Sequence, residues 1–299
     1  MTLRSPGSHD SFAFHLSTKD PIAPDVEKTA FGKLARTVLK RPVKSVIHKW
    51  SITQSMTFTE QLHAGIRYFD LRLGSKVKET GSKTALSEDD HVKGLHFVHG
   101  LYGVDLKRAL IEVQEFLHVR DREVVILHFQ HFYNFDKHKH KCCLNVISKT
   151  FAGKLCHAYG DFRHVTLSSL WDNRHQVIVI YNHEVPEDFK PFIWPVNRID
   201  SQWPNVTSPE SLIAYLQRGY ERRRNEKNLF VSQAILTPDT GLIVKHVGSS
   251  LKEKCGKKAA KPISKWLLSK TPGDHCLNIC IVDFVEMENF VANVIRLNV

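Results

Sequence analysis

Four short stretches of this 299-residue chain carry side chains of the kinds that move protons and hold charge. His9 and Asp10 are adjacent in Ser5-Pro6-Gly7-Ser8-His9-Asp10-Ser11-Phe12, and His99 ends the apolar run before Gly100. Asp70 and Arg72 alternate with apolar residues in 66–73, and Asp283 closes the apolar run 277–284. Two histidines, each with an available carboxylate, and one arginine suit cleavage of a phosphodiester by an internal hydroxyl. One imidazole removes the hydroxyl proton, the other protonates the leaving oxygen, and the guanidinium neutralises the charge building on phosphorus. This chemistry requires no metal, and no cofactor is expected. Taken alone, a His-Asp pair after a turn is more often a Ser/Asp helix cap, so the reading depends on the elements that bring these stretches together.

Those elements alternate strand-like and helix-like along the chain. Pro6-Gly7 is a turn dipeptide and the residues after it are polar, so 5–12 is expected to be a loop facing a cleft. Only four residues precede it, which leaves the first strand nearly absent. In 66–73 the period of two puts Tyr68, Asp70 and Arg72 on one face and Phe69, Leu71 and Leu73 on the other. Strands are also expected at 94–99, 124–127, 177–181, 229–236 and 277–284, with the polar tip His128, Gln130, His131 after 124–127. Helices are signalled by the capping box at Thr57–Glu60 with Gly65 as its stop, by Asp105 before a buried stripe from Leu106 to Leu117, and by Ser208-Pro209. Pro42 is expected to stop or kink a basic amphipathic helix carrying Phe31, Leu34, Val38 and Leu39. Residues 74–93 read as a polar loop, 192–204 as an irregular aromatic loop over something, and 138–143 (His-Lys-His-Lys-Cys-Cys) as the start of a helix rather than a metal tract.

An alternating β/α chain of this kind predicts an α/β fold, a TIM-type (β/α) barrel, distorted or lacking a full first strand, with the chemistry on its C-terminal rim. No repeat or low-complexity tract divides residues 1–299, so one domain is expected. The net charge of +11 favours an anionic partner, which leaves nucleic acid, a phosphate substrate and an anionic membrane open. No base-stacking motif accompanies the basic runs, so nucleic acid ranks last. No apolar run approaches the ~18 residues that span a bilayer, no apolar signal region opens the chain, and the six cysteines lack CxxC spacing. A cytoplasmic protein with peripheral membrane contact is therefore expected, through basic residues such as Lys257, Lys258, Lys261 and Lys265 beside Trp266.

At PGSHDSF (6–12), GIRYFDLR (65–72), FVHGLYG (97–103) and ICIVDF (279–284) the chain resembles the phosphatidylinositol-specific phospholipase C family, and most closely its small X-domain-containing branch. With SQAILTP and FIWP the resemblance covers nearly the whole chain. It implies cleavage of a phosphatidylinositol-type lipid to diacylglycerol and a cyclic inositol phosphate. It makes His9 the general base oriented by Asp283, His99 the general acid paired with Asp10, and Arg72 the phosphate clamp beside Asp70. In calcium-dependent relatives a metal-binding acid stands at the position of Arg72 and an asparagine follows the first histidine, so the chain resembles the metal-independent bacterial type. It departs from that type where basic inositol contacts are expected, showing Gln130, His131 and Tyr181 instead. The rival expectation, drawn from that departure and from the short first strand, is a weakly active or inactive phosphoinositide-binding scaffold on the same barrel.

Overall fold

The computed structural model describes residues 4–27, 40–76, 88–158, 160–223, 228–273 and 277–298. Its strands are β1 (Ser5–Ser8), β2 (Tyr68–Ser75), β3 (Leu95–His99), β4 (Leu101–Asp105), β5 (Val125–Tyr133), β6 (Val177–Tyr181), β7 (Ile193–Pro195), β8 (Ile199–Asp200), β9 (Leu229–Gln233) and β10 (Ile279–Val282). Eight of them hydrogen-bond in the order β7-β6-β5-β2-β1-β10-β9-β8, and every neighbouring pair on that path is parallel. β7 and β8 end the path at opposite sides, so the sheet curls into a TIM-type barrel whose seam lies between two strands adjacent in sequence.

The period-two alternation of β2 sorts two cores. Phe69, Leu71 and Leu73 pack outward into the layer between sheet and helices, with Leu110, Leu127, Ile147 and Val179. Tyr68 points inward, with Ile126, Ile178, Ile180, Trp194, Val231, Ile279 and Ile281 filling the barrel. Above that inner plug, Asp70 and Arg72 continue the inward row toward the C-terminal ends of the strands. β5 keeps pace through an irregularity: Asp70 pairs with His128 and Leu71 with Phe129, but Arg72 pairs with His131. The extra residue, Gln130, is a bulge that returns His131 to the inner face.

The loop expected at 5–12 is a strand over its first half. Ser5–Ser8 is buried throughout and pairs with both β10 and β2. Its turn-like composition has a packing cause: a Cβ on Gly7 would lie 2.8 Å from Ile281 Cγ2 and from Tyr68 Cδ1, so the inner plug leaves room there for glycine alone. The first strand is thus present and short, which also removes one support of the scaffold reading. The run at 94–99 forms a strand, but not one of the barrel; β3 is antiparallel to β2 and makes a hairpin with β4, which had no place in the sequence reading. The barrel is completed instead by β7 and β8, inside the stretch expected to be irregular.

Helices follow their sequence signals closely. Thr57 and Glu60 form the capping box of Phe58–Ala64, with Gly65 left-handed behind it. Asp105 caps Leu106–His118, and Ser208 caps Pro209–Arg222 with proline in its first turn. Pro42 lies within the helix Lys40–Ser51. Phe31, Leu34, Val38 and Leu39 lie outside the described residues. Of the polar stretch 74–93, residues 74 and 75 extend β2 and Glu88–Lys93 is helical.

Candidate active site

The loops after β1, β3 and β10, together with β2, bring His9, Asp10, Asp70, Arg72, His99 and Asp283 into one cleft at the C-terminal end of the barrel. His9 follows β1 and Asp283 follows β10, and because those strands are direct neighbours the two side chains meet: His9 Nδ1 lies 2.7 Å from Asp283 Oδ1. Arg72 Nη2 donates to His9 Nε2 at 2.7 Å. A guanidinium has no acceptor, so Nε2 presents its lone pair to the cleft and Nδ1 carries the proton held by Asp283. That is the tautomer a general base requires.

His99 reaches the cleft from the β3–β4 hairpin. Its ring centroid is 6.1 Å from that of His9, room for one phosphoryl group with an oxygen against each ring. Its Nδ1 donates to the Ser51 carbonyl at 2.7 Å, and Asp10 Oδ2 is 3.7 Å from the same atom. The partner of His99 is therefore first a backbone carbonyl and only second Asp10. With Nδ1–H so fixed, Nε2 bears a proton only in the charged imidazole, the form able to act as acid.

Arg72 is flanked by Asp10 (Nε to Oδ2, 3.6 Å) and Asp70 (Nη2 to Oδ2, 3.7 Å). Asp70 Oδ2 also accepts the Asp10 N–H at 3.3 Å. Burial governs the proton affinities. It drives His9 well below the ordinary histidine value, with Arg72 adding to the effect. Burial and Arg72 likewise lower His99. Burial pushes Asp283 up to about 7 and Asp10 well above the carboxylate range. Burial would pull Arg72 down, but Asp10 and Asp70 more than offset it and hold the guanidinium charged. Asp10 Oδ2, Asp70 Oδ1 and Arg72 Nε are buried without a hydrogen-bond partner among the described residues, which leaves the cleft disposed toward a polar guest.

Two backbone features hold this geometry. Asp10 (φ 38°) and Phe284 (φ 57°), beside the catalytic-type histidine and Asp283 respectively, lie in the left-handed region that non-glycine residues avoid. The buried pair Thr53 and Gln54 ties them down. Thr53 Oγ1 donates to the Asp10 carbonyl, its own carbonyl accepts the Phe284 N–H, and Gln54 Nε2 donates to the carbonyls of His9 and Val282. Sequence reasoning missed Ser51, Thr53 and Gln54; the only signal was a polar run, Ser-Ile-Thr-Gln-Ser, between two amphipathic segments. It also missed Trp203, whose ring lies 5.1 Å from that of His9, although the aromatic loop 192–204 was expected to cover something. Of the residues standing where basic inositol contacts were expected, His131 faces the cleft from β5, whereas Tyr181 does not: it packs in the outer layer with its hydroxyl on His140 Nδ1.

Two imidazoles, an arginine and supporting carboxylates on the C-terminal rim of a parallel barrel are groups that could hold a phosphodiester and exchange protons with it. Residues 45–183 match the family model described as phosphatidylinositol-specific phospholipase C, X domain. PI-PLC X domain-containing protein 3 of Mus musculus is 36% identical over 298 residues, 99% of this chain and 88% of that protein. Protein 2 of Mus musculus is 38% identical over 99% of this chain and 82% of its own length, and protein 1 of Homo sapiens is 34% identical over 99% and 86%. The chain belongs to this family of PI-PLC X domain-containing proteins. Its fold is that of the bacterial phosphatidylinositol-specific phospholipases C: the Listeria monocytogenes structure superposes with a TM-score of 0.65 at 15% identity, covering 100% of this chain and 93% of that one. A Staphylococcus aureus structure, titled for modulation of membrane binding, gives 0.67 at 15% identity with the same coverage.

Proposed function

We propose that the chain, acting as one catalytic domain, cleaves the phosphodiester of a phosphatidylinositol-type lipid without a metal, releasing diacylglycerol and a cyclic inositol phosphate. One observation carries the reading: both histidines commit Nδ1 to the protein, His9 to Asp283 and His99 to Ser51, which leaves both Nε2 atoms for substrate, that of His9 beside Arg72. His9 Nε2 takes the proton of a ring hydroxyl, whose oxygen then bonds to phosphorus. Arg72, transferring its donor from His9 to a phosphate oxygen, balances the negative charge. The bond from phosphorus to the glycerol oxygen breaks, and His99 Nε2–H supplies that oxygen's proton. Asp283 stabilises the imidazolium formed at His9.

The proposal extends to location. No helix among the described residues is long and apolar enough to cross a membrane. The net charge of +11 supports a cytoplasmic protein that meets its lipid from the surface of an anionic leaflet. Product analysis on phosphatidylinositol vesicles in the presence of chelator tests the whole reading: a cyclic inositol phosphate is expected. Product that appears only on adding calcium refutes the role of Arg72, and vesicle binding without any product, unaffected by His9→Ala and His99→Ala, establishes the scaffold instead.

A further inference from the structure

Asp25 lies outside the six residues assembled above, yet the structure brings it to the general acid. It belongs to the short helix Pro24–Glu27, and its Oδ2 accepts the N–H of Gly100, the residue after His99, at 2.7 Å. The Gly100 carbonyl accepts the Ala23 N–H at 2.9 Å, and Ile22 bridges to Leu101. Residues 22–25 thus take both backbone groups of the turn that carries His99. That turn has little freedom: Gly100 has φ +70°, and a Cβ there would lie 2.3 Å from Ser51 Oγ. The second oxygen, Asp25 Oδ1, is buried and has no hydrogen-bond partner among the described residues.

We propose that Asp25 is a positioning residue for the general acid: its carboxylate fixes the Gly100 turn and supplies the negative charge against which the His99 imidazolium is held. This rests on the reading of His99 as acid. The need for it follows from the His99 contacts. The Ser51 carbonyl sets the orientation of the ring but carries no net charge, while Arg72 opposes protonation from β2 and His9 stands 6.1 Å away. Asp10 Oδ2, 3.7 Å from His99 Nδ1, is shared with Arg72 Nε at 3.6 Å, and Asp283 is paired with His9. Asp25, the Ser51 hydrogen bond and Asp283 raise the proton affinity of His99 against burial and Arg72.

Asp25→Asn separates the two roles, because an amide oxygen can still accept the Gly100 N–H while the charge is gone. Histidine-labelled protein without substrate, with the His99 signal assigned by its loss in His99→Gln, is titrated by NMR. The His99 midpoint is expected to fall by about one pH unit in Asp25→Asn and to remain near the parent value in Asp25→Glu. The alkaline limb of kcat/KM on phosphatidylinositol moves with it, giving roughly a tenfold loss above the parent optimum and little loss well below it. An unchanged midpoint in Asp25→Asn overturns the proposal, and so does loss of the fold on this isosteric change, since Asp25 would then be a stability residue. A parent that makes no cyclic product refutes the catalytic reading, but the substrate-free titration still decides whether Asp25 sets the charge of His99.

Discussion

At the scale of the residue, the two histidines differ in what burial asks of them. His9 has to be neutral to take a proton, and burial with Arg72 nearby lowers its proton affinity, so it remains a base well into acid. His99 has to be charged to give one, and burial with Arg72 lowers it too, so the acid is lost as pH rises. Activity rises as His9 deprotonates and falls as His99 deprotonates, and both midpoints lie below about 6.5, the value of a free imidazole. The expected kcat/KM profile is therefore bell-shaped, its acid limb including protonation of Asp283, pushed up to about 7, and its alkaline limb following His99; a maximum at pH 8 or above contradicts the assignment. His9→Ala and His99→Ala should each lower kcat by roughly 10²–10⁴ while leaving thermal unfolding close to the parent. Arg72→Lys keeps a charge but loses the fork that lets one group reach both His9 and a phosphate oxygen, and a loss of the same order is expected. All three are checked by steady-state kinetics on vesicles alongside calorimetry.

At the scale of the element, β1 delivers His9 between β10 and β2, and its glycine is what allows the strand to pass the inner plug. Gly7→Ala forces Ile281, Tyr68 and the Tyr68 carbonyl apart and should destabilise by about 1–3 kcal/mol. Gly248→Ala, where nothing lies within 4 Å, should be near neutral in the same urea titration. The same strand shows where sequence stops being legible. Proline and glycine are turn signals because of their backbone preferences, but here the deciding constraint is the space left by side chains from two other strands. β7 and β8, of three and two residues, are too short for any period to register. β3 has the period of a strand, but nothing local distinguishes a hairpin arm from a barrel stave. The helices were legible because caps and stripes are local. The six candidate site residues were legible because each stands in a motif with a distinctive composition. Ser51 was not, because it contributes a main-chain carbonyl, which has no residue signature; Asp25 was not, because its role comes from a contact 75 residues away in sequence.

At the scale of the molecule, the chain carries an excess of 42 basic over 31 acidic side chains, whereas Asp10, Asp25, Asp70 and Asp283 gather about Arg72 in the cleft. Where that excess meets the rim decides how the protein would reach a lipid. Insertion through Trp266 does not survive: the indole is 5% exposed, its Nε1 donates to Gln217, and Lys270 packs over its ring. The rim offers other groups. The segment after β9 leaves the barrel at the end that carries the cleft, and it exposes Val244, Lys245 and Val247, while Trp203 is 39% exposed beside His9. Lys257 and Lys258 are exposed at the start of the helix Lys257–Leu268, whereas Lys261 and Lys265 lie up to ~12 Å further along it, away from that end. Each lysine close to an anionic leaflet contributes ~1 kcal/mol, and screening acts over ~8 Å at physiological ionic strength. Lys245→Gln, Lys257→Gln and Lys258→Gln together should therefore weaken binding to anionic vesicles by roughly 100-fold. Lys261→Gln with Lys265→Gln should change it far less, and neither set should alter cleavage of a water-soluble substrate. Val244→Ser with Val247→Ser should lower binding to neutral and anionic vesicles alike, and this part should resist added salt. Sedimentation with vesicles across a salt series separates the two contributions: equal losses from the rim and flank lysine sets place the charge contact on the side of the barrel, and binding indifferent to both salt and lysines leaves the apolar rim alone to hold the protein at the lipid surface.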